Sequence, residues 1–308
     1  MVKYHSYIFK AMGSTISVQA EVDETLSKEM FDRVEECFRD IEKIASRFDD
    51  NSELSFVNKN LGYTVEVSQD LQSLLKDAHY AYQVTGGSFD PRILQTLSNI
   101  GYANTFLDNQ WKDIKVKPLI IRNEWRPIFD ENKVHVGSEP IDLGGVGKSY
   151  TAWKAGQIVA EYSENFFVNA GGDIVFSGHA VDATEWTVGV DNPYMEVSDA
   201  PLAILGLSDK SVATSSIAKH SWVTADGRRM HHIINPKTGL PADGGVVAVT
   251  VIHDDVIAAE IWSKTLFLEP VDEIAEFTES LSMPVLWFTA DNKMHYNEYM
   301  KPFVRWTV

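Results

Sequence analysis

Residues 142–149 read Asp142-Leu143-Gly144-Gly145-Val146-Gly147-Lys148-Ser149, and the reading of this stretch decides between two fold classes. A phosphate-binding loop of the form Gly-x-x-x-x-Gly-Lys-Ser/Thr joins a strand to a helix in α/β proteins. Gly147-Lys148-Ser149 satisfies the end of that pattern, and a helix from Tyr150 to Glu161 is predicted to follow. The opening position holds Asp142 instead of glycine. That loop cradles phosphate in backbone N–H groups, and a carboxylate there repels the ligand. No later apolar strand ends in a clear Mg²⁺-binding aspartate. A weaker reading survives: glycines ahead of a helix N-terminus let backbone donors approach an anion, and Lys148 adds charge. A plain glycine turn with a solvated lysine fits the same residues.

The surrounding sequence points away from a doubly wound sheet. Leu26, Met30, Val34, Cys37, Phe38, Ile41, Ile44, Ala45 and Phe48 recur at three and four residues and predict a long amphipathic helix. The run 49–52 breaks it and Glu53-Leu54 restarts a short one. Ser68 reads as the N-cap of another helix, ended by Thr85-Gly86-Gly87. Alternation at Ile16, Val18 and Ala20 predicts a strand after the Gly13 turn. Residues 110–140 read as short strands and turns. Further strands are expected at 166–168, 174–176, 186–190, 202–207, 246–252, 285–289 and 303–308, with helices at 256–267 and 271–281. Strands and helices do not alternate regularly, and no repeat or low-complexity linker divides the chain. The expectation is one α+β domain over residues 1–308, with mixed, largely antiparallel sheets and flanking helices.

Composition removes several classes of function. The 308 residues are 44% apolar, too many for a disordered chain. No apolar run reaches the roughly 18 residues that a membrane helix needs. A single cysteine excludes an internal disulfide and Cys-rich metal sites, and Cys37 reads as a packed core thiol. With 27 basic against 44 acidic residues the formal charge is −17, which argues against nucleic acid or an anionic membrane as a general partner. The first residues, Met1 to Ser6, show neither a secretory signal nor a lipidation cysteine, so a cytoplasmic location is expected.

Four further segments carry possible chemistry. Asn169-Ala170-Gly171-Gly172-Asp173 is a double-glycine turn between two strands. In Met230-His231-His232-Ile233-Ile234-Asn235-Pro236-Lys237-Thr238-Gly239, a strand with two histidines enters a turn. Adjacent strand residues face opposite ways, so the two rings cannot share a role. Glu260 and Lys264 lie four apart on a predicted helix, with the carboxylate in the favourable N-terminal position. A surface salt bridge worth a few tenths of a kcal/mol fits the pair, while the otherwise apolar helix leads one to expect it to be partly buried, as functional pairs more often are. Thr85-Gly86-Gly87-Ser88-Phe89-Asp90-Pro91 is a turn with one aromatic ring able to stack on a ligand.

The order and spacing of these segments, with Ala11-Met12-Gly13-Ser14, Ser46-Arg47-Phe48, Ser52-Glu53-Leu54-Ser55 and Asn58, resemble the ApbE family of FAD:protein FMN transferases. The resemblance runs from Ala11 to about Pro270, and His232 to Gly239 is its most specific part. It implies an enzyme that takes FAD and a divalent cation, usually Mg²⁺. The FMN half goes to a threonine of an acceptor flavoprotein, and AMP is released. It implies that His232 is the catalytic histidine. Met12, Phe48, Ser88, Phe89 and Asp90 would line the flavin nucleotide site, and Asp142 and Lys148 would hold the nucleotide. Phe48 stands where tyrosine is common, so a hydroxyl is lost and the aromatic face kept.

The departures concern the metal. The family usually places Asp and, four residues later, Thr on Mg²⁺; here these are Glu260 and Lys264. A protonated lysine has three donors and no acceptor, so it cannot ligate Mg²⁺. Asn235 also replaces the usual aspartate. Two arrangements follow. Mg²⁺ could bind through Glu260, the Gly145 carbonyl and Ser263. Alternatively the Lys264 ammonium could take the cation's place, paired to Glu260 and facing the pyrophosphate, with weakened metal dependence. The second leads to an alternative function: an FAD-binding or FAD-hydrolysing relative whose transfer is lost or weakened.

Overall fold

The structure is a computed structural model that describes residues 2–102, 118–120, 123–195, 200–218, 221–224 and 227–308. The chain forms two compact units. One comprises Met1–Glu42, Lys148–Ser215 and Gly245–Val308, the other Lys43–Gly147 and Ser216–Gly244.

The first unit is built on an eight-stranded sheet. Its spatial order is Val2–Ala11, Ser14–Asp23, Phe166–Ala170, Asp173–Ser177, Ser211–Ser216, Val246–His253, Val285–Thr289 and Lys293–Tyr296. The two outer pairs at each end, and the hairpin at its centre, are antiparallel. A second antiparallel sheet orders Val304–Thr307, Ala203–Leu207 and Trp186–Val190. Helix α1 (Glu24–Ala45) buries Met30, Val34, Cys37, Phe38 and Ile41 of the stripe that its spacing predicts, and Phe31 beside them, whereas Leu26 is exposed and Phe48 lies beyond the helix end and is exposed too. Met30, Val34 and Phe38 share one apolar cluster with Ile16 and Val18 of the sheet. Cys37 is a buried core thiol.

The second unit carries α2 (Glu53–Lys59), α3 (Gln69–Val84) and α4 (Leu94–Asn99), with three small antiparallel sheets. Ser52 and Ser68 cap α2 and α3, each hydroxyl accepting a backbone N–H of the first turn. α5 (Gly147–Ala160) starts three residues before its predicted start, and α6 (Val256–Phe267) matches its predicted span. α7 (Ile274–Ser280) is shorter than expected. The predicted strands and turns of 110–140 fall partly on 110–117 and 121–122, outside the described residues; the strands Ile128–Asp130 and Lys133–His135 lie in the remainder. The α+β class with antiparallel sheets is what the sequence leads one to expect.

Two tight hairpins shape the first unit. Met12-Gly13 joins Val2–Ala11 to Ser14–Asp23, with φ of 51° and 68°. Both are positive, as a two-residue loop that follows the strand twist requires. Met12 sits there at a cost, since non-glycine residues rarely enter that region. Gly171-Gly172 closes the second hairpin, with φ of 70° and 110°, and places Asp173 at the head of its strand. A Cβ on Gly171 would lie 2.7 Å from Ser14 Oγ, whereas one on Gly13 meets nothing within 4 Å.

This contrast orders two substitutions. Gly171→Ala adds a clash to left-handed strain and is expected to cost about 2–3 kcal/mol. Gly13→Ala adds strain alone, about 1 kcal/mol. Urea unfolding of both variants checks the order, and equal losses would remove the Ser14 contact as the cause.

Candidate functional site

The predicted site residues fall into a polar cluster in each unit. In the first, Lys148 is the second residue of α5, Asp173 opens the strand after the double glycine, and Glu260, Ser263 and Lys264 stand on α6. Both carboxylates are 2% exposed as side chains, and Lys148 and Lys264 are 26% and 21% exposed. Two buried acids are therefore paired with two lysines whose side chains are only partly buried. Lys148 Nζ is 3.4 Å from Asp173 Oδ2 and 4.0 Å from Glu260 Oε1. Lys264 Nζ donates to the same Glu260 Oε1. Burial first, and then the Glu260 charge, push the Asp173 carboxyl above its ordinary range, while the lysines oppose this. Ser263 is fully buried; its hydroxyl lies 3.1 Å from Glu260 Oε2 and 2.8 Å from Ser215 Oγ. Met12, in the same unit, donates its N–H to Glu42 at 2.8 Å.

These donors do not suit Mg²⁺. Of the Glu260 oxygens, Oε1 carries an ammonium and Oε2 has a hydroxyl beside it. Mg²⁺ demands an octahedron of oxygens at about 2.1 Å and would meet lysine donors here. Among the described residues, no three His, Cys, Asp or Glu side chains are grouped as metal ligands.

The second unit's cluster is organised by Asp142. Its Oδ1 accepts from the Gly144 N–H at 2.9 Å, and its Oδ2 pairs with Arg47 Nε at 3.0 Å. Its own N–H donates to the Pro91 carbonyl at 2.7 Å. Asn58 and Ile141 exchange two hydrogen bonds of 2.9 Å just ahead of it. The carboxylate that broke the phosphate-loop pattern is thus a structural hub. Gly145 lies in the following turn. Asp90 is buried and held by Arg92 through two side-chain bonds of 3.0 and 2.8 Å, so its carboxylate is already engaged. Phe89 is buried and Ser88 half-buried.

The Arg47 guanidinium lies 4.3 Å from the Phe48 ring and 4.8 Å from that of Tyr102. Tyr102 stacks on Trp222 at 5.6 Å, and His232 tilts against Tyr102 at 6.3 Å. The histidine strand ends at His231. His231 is buried, with Nε2 2.8 Å from the Ala242 carbonyl, and burial holds its pKa down. His232 sits at the bend beyond and is only half-buried. Asn235 shapes its turn by accepting the Lys237 N–H at 2.9 Å. Gly239, at φ 64°, leaves no room for a Cβ, which would lie 2.3 Å from the Leu119 carbonyl oxygen.

Arg47, Tyr102, Trp222 and Asp173 join these clusters without having been assigned a role from sequence. Arg47 stood in the Ser46-Arg47-Phe48 segment of the resemblance, but nothing local pairs it with Asp142. Tyr102 and Trp222 had none, because only the fold brings them together.

Residues 12–287 match the ApbE family. A Klebsiella pneumoniae protein named FAD:protein FMN transferase is 28% identical over 275 residues, covering 86% of this chain and 82% of its own. A Haemophilus influenzae protein of the same name is 24% identical, covering 90% and 84%. Among solved structures, an ApbE protein from Thermotoga maritima is 26% identical with a TM-score of 0.84, covering 99% of this chain and 100% of its own. The flavin transferase ApbE from Vibrio cholerae, at 20% identity and a TM-score of 0.79 over 98% and 100%, shares the fold.

Removing Arg47 would strand the nearly buried Asp142 carboxylate. Arg47→Ala is expected to cost about 3–5 kcal/mol, the range for breaking a buried pair from one side. Arg47→Lys should lose less, because the charge stays while the planar stack goes. Denaturant midpoints measure both, and a loss below about 1 kcal/mol for alanine would mean that Asp142 holds its loop unaided.

Proposed function

The chain belongs to the ApbE family, and from that premise we propose that it is an FAD:protein FMN transferase acting on a threonine of an acceptor flavoprotein. The observation that carries this reading is the extent of the match: residues 12–287 include both polar clusters.

The reaction is attack of a threonine Oγ on the FMN-side phosphorus of FAD. A new P–O bond forms, the P–O bond to the bridging oxygen breaks, and AMP leaves with that oxygen. The hydroxyl proton goes to a base, and His232 is the residue for this role. Its ring is set at an angle by Tyr102 but not sealed from solvent. Charge builds on the phosphate oxygens as the nucleophile arrives, and fixed cations lower that barrier. Lys148 and Lys264 offer such charge. Phe48, 48% exposed, presents a ring face to a flavin or adenine. Ser88 and Phe89 complete that role. Asp90 and Asp142 act through the loops they hold, Asp90 by fixing Arg92 and Asp142 by fixing Gly144. Met12 contributes from its hairpin turn. Gly145, Glu260 and Ser263 are the residues that would hold Mg²⁺ in the first of the two arrangements, and the engaged Glu260 oxygens do not suit it. Four crossings of the chain between the two units, with neither unit continuous in sequence, support treating 1–308 as one functional domain.

A second reading, an FAD-binding or FAD-hydrolysing protein without transfer, is favoured by the Lys264–Glu260 pair. Mass spectrometry separates the two after incubation of the protein with FAD and a threonine-bearing acceptor domain. A gain of one FMN residue on the acceptor, with AMP released, is expected. AMP and free FMN without adduct would establish the second reading instead. His232→Ala should lower transfer about 100-fold or more while retaining FAD binding. Unchanged transfer would remove His232 as the base.

A further inference from the structure

The disagreement between the metal that the family implies and the side chains on α6 has a consequence of its own. Glu260 is one methylene longer than the aspartate usual there, and its carboxylate bends along the helix to meet the ammonium four residues on. The Lys264 side chain is 21% exposed, against 2% for Glu260. Lys148 approaches the same oxygen from α5. Two buried carboxylates are thus balanced by two ammonium groups, a formal sum of zero. A divalent cation reaching Glu260 would have to displace Lys264 and then lie against two positive charges. Nor does Ser263 stand ready, since its hydroxyl is within hydrogen-bond distance of both Ser215 and Glu260.

We propose that the Lys264 ammonium, seated on Glu260 beside Lys148, replaces a divalent cation in this chain, so that an anionic pyrophosphate ligand is bound without Mg²⁺. The inference deepens the transferase reading by naming what neutralises the phosphates. An ammonium gives up to three N–H donors in place of an octahedron of oxygens. Glu260 and Ser263 use one side of the site, and the solvent-facing side of Lys264 and Lys148 is where phosphate oxygens would be met. Charge-assisted bonds of this kind are stronger than neutral ones. Lysine acts there as a point charge rather than a fork, which suits a phosphate whose geometry changes during transfer. The pair is not merely a helix brace. An exposed i, i+4 bridge contributes a few tenths of a kcal/mol and is found on solvated faces, whereas this carboxylate is 2% exposed and answers to two lysines on different helices.

The test uses the full chain, freed of metal by EDTA, with FAD as the probe. Affinity is read by flavin fluorescence and metal binding by calorimetric titration of MgCl₂ into the FAD complex. For the natural chain, FAD affinity and transfer are expected to be the same in EDTA and in Mg²⁺, with no heat of Mg²⁺ binding. Lys264→Thr removes the ammonium and supplies an oxygen. It is expected to bind FAD about tenfold more weakly in EDTA and to gain both a Mg²⁺ binding heat and an affinity that Mg²⁺ restores. Lys264→Arg keeps the charge and serves as the fold control; it should remain EDTA-resistant. Saturable Mg²⁺ binding by the natural chain, with FAD affinity lost in EDTA, overturns the proposal. So does a folded Lys264→Thr protein whose FAD affinity in EDTA is unchanged, for Lys264 would then be a structural partner of Glu260 only. If no acceptor is ever flavinylated, the transferase reading fails by itself, while FAD affinity and Mg²⁺ heat still decide the role of the lysine.

Discussion

Asp173 and Glu260 are two carboxylates buried in the first unit at 2% exposure, and both answer to Lys148. Two acids in one low-dielectric place cannot both stay ionised unless cations come with them. That constraint joins three parts of the unit. α5 must deliver Lys148 from its first turn, and α6 must hold Glu260 and Lys264 one turn apart. The Gly171-Gly172 hairpin must place Asp173 at the start of its strand. None of these elements could be altered alone without leaving a buried charge uncompensated, a cost of several kcal/mol against a stability of about 5–15. The glycines, the helix start and the lysine–glutamate spacing serve one electrostatic requirement.

Asp142 plays a comparable part in the second unit, by geometry more than by charge balance. Its two oxygens shape the glycine turn and fix Arg47, and its backbone holds the Pro91 loop. Arg47 in turn lies over two aromatic rings, one of which touches His232. Among the described residues the buried Arg47 Nη2 has no hydrogen-bond partner. A buried guanidinium with an unused donor is unusual for a purely structural group, and it lies beside the Phe48 face proposed for ring stacking.

Elements set by local spacing are legible in the sequence, and pairings made only by the fold are not. Most of the α1 stripe, the Ser68 cap and the span of α6 follow from spacing and capping chemistry within a few residues, whereas Ser52, read only as part of a helix break, is the cap of α2. The strand Val2–Ala11 does not, because Ile8 faces solvent at 67% exposure while Phe9 is buried, so apolar residues occupy both faces and blur the period of two. The division into two units has no compositional mark either. Its boundaries fall inside α1, at the start of α5, at the end of a strand and between two adjacent glycines. At the candidate site, Glu260–Lys264 was legible because the partners are one helical turn apart. Asp142–Arg47 was not, since 95 residues separate them and only folding reveals the pair. Strand alternation was expected to set the two histidines apart, but the strand ends at His231 and His232 lies on the bend beyond it.

The net charge of −17 acquires a sharper meaning beside these clusters. Around the lysines of the first unit the local sum is zero, so this part of the molecule offers no long-range attraction for an anion. Fields from the acidic remainder are screened within about 8 Å at physiological ionic strength. Recognition of the pyrophosphate proposed for this cluster would therefore act at contact, through ammonium donors whose own counter-charges are already buried. Such a site gains little in association rate from electrostatic steering. What it gains is selectivity, because an anion is favoured only where its oxygens fit the donors that the carboxylates beneath have oriented.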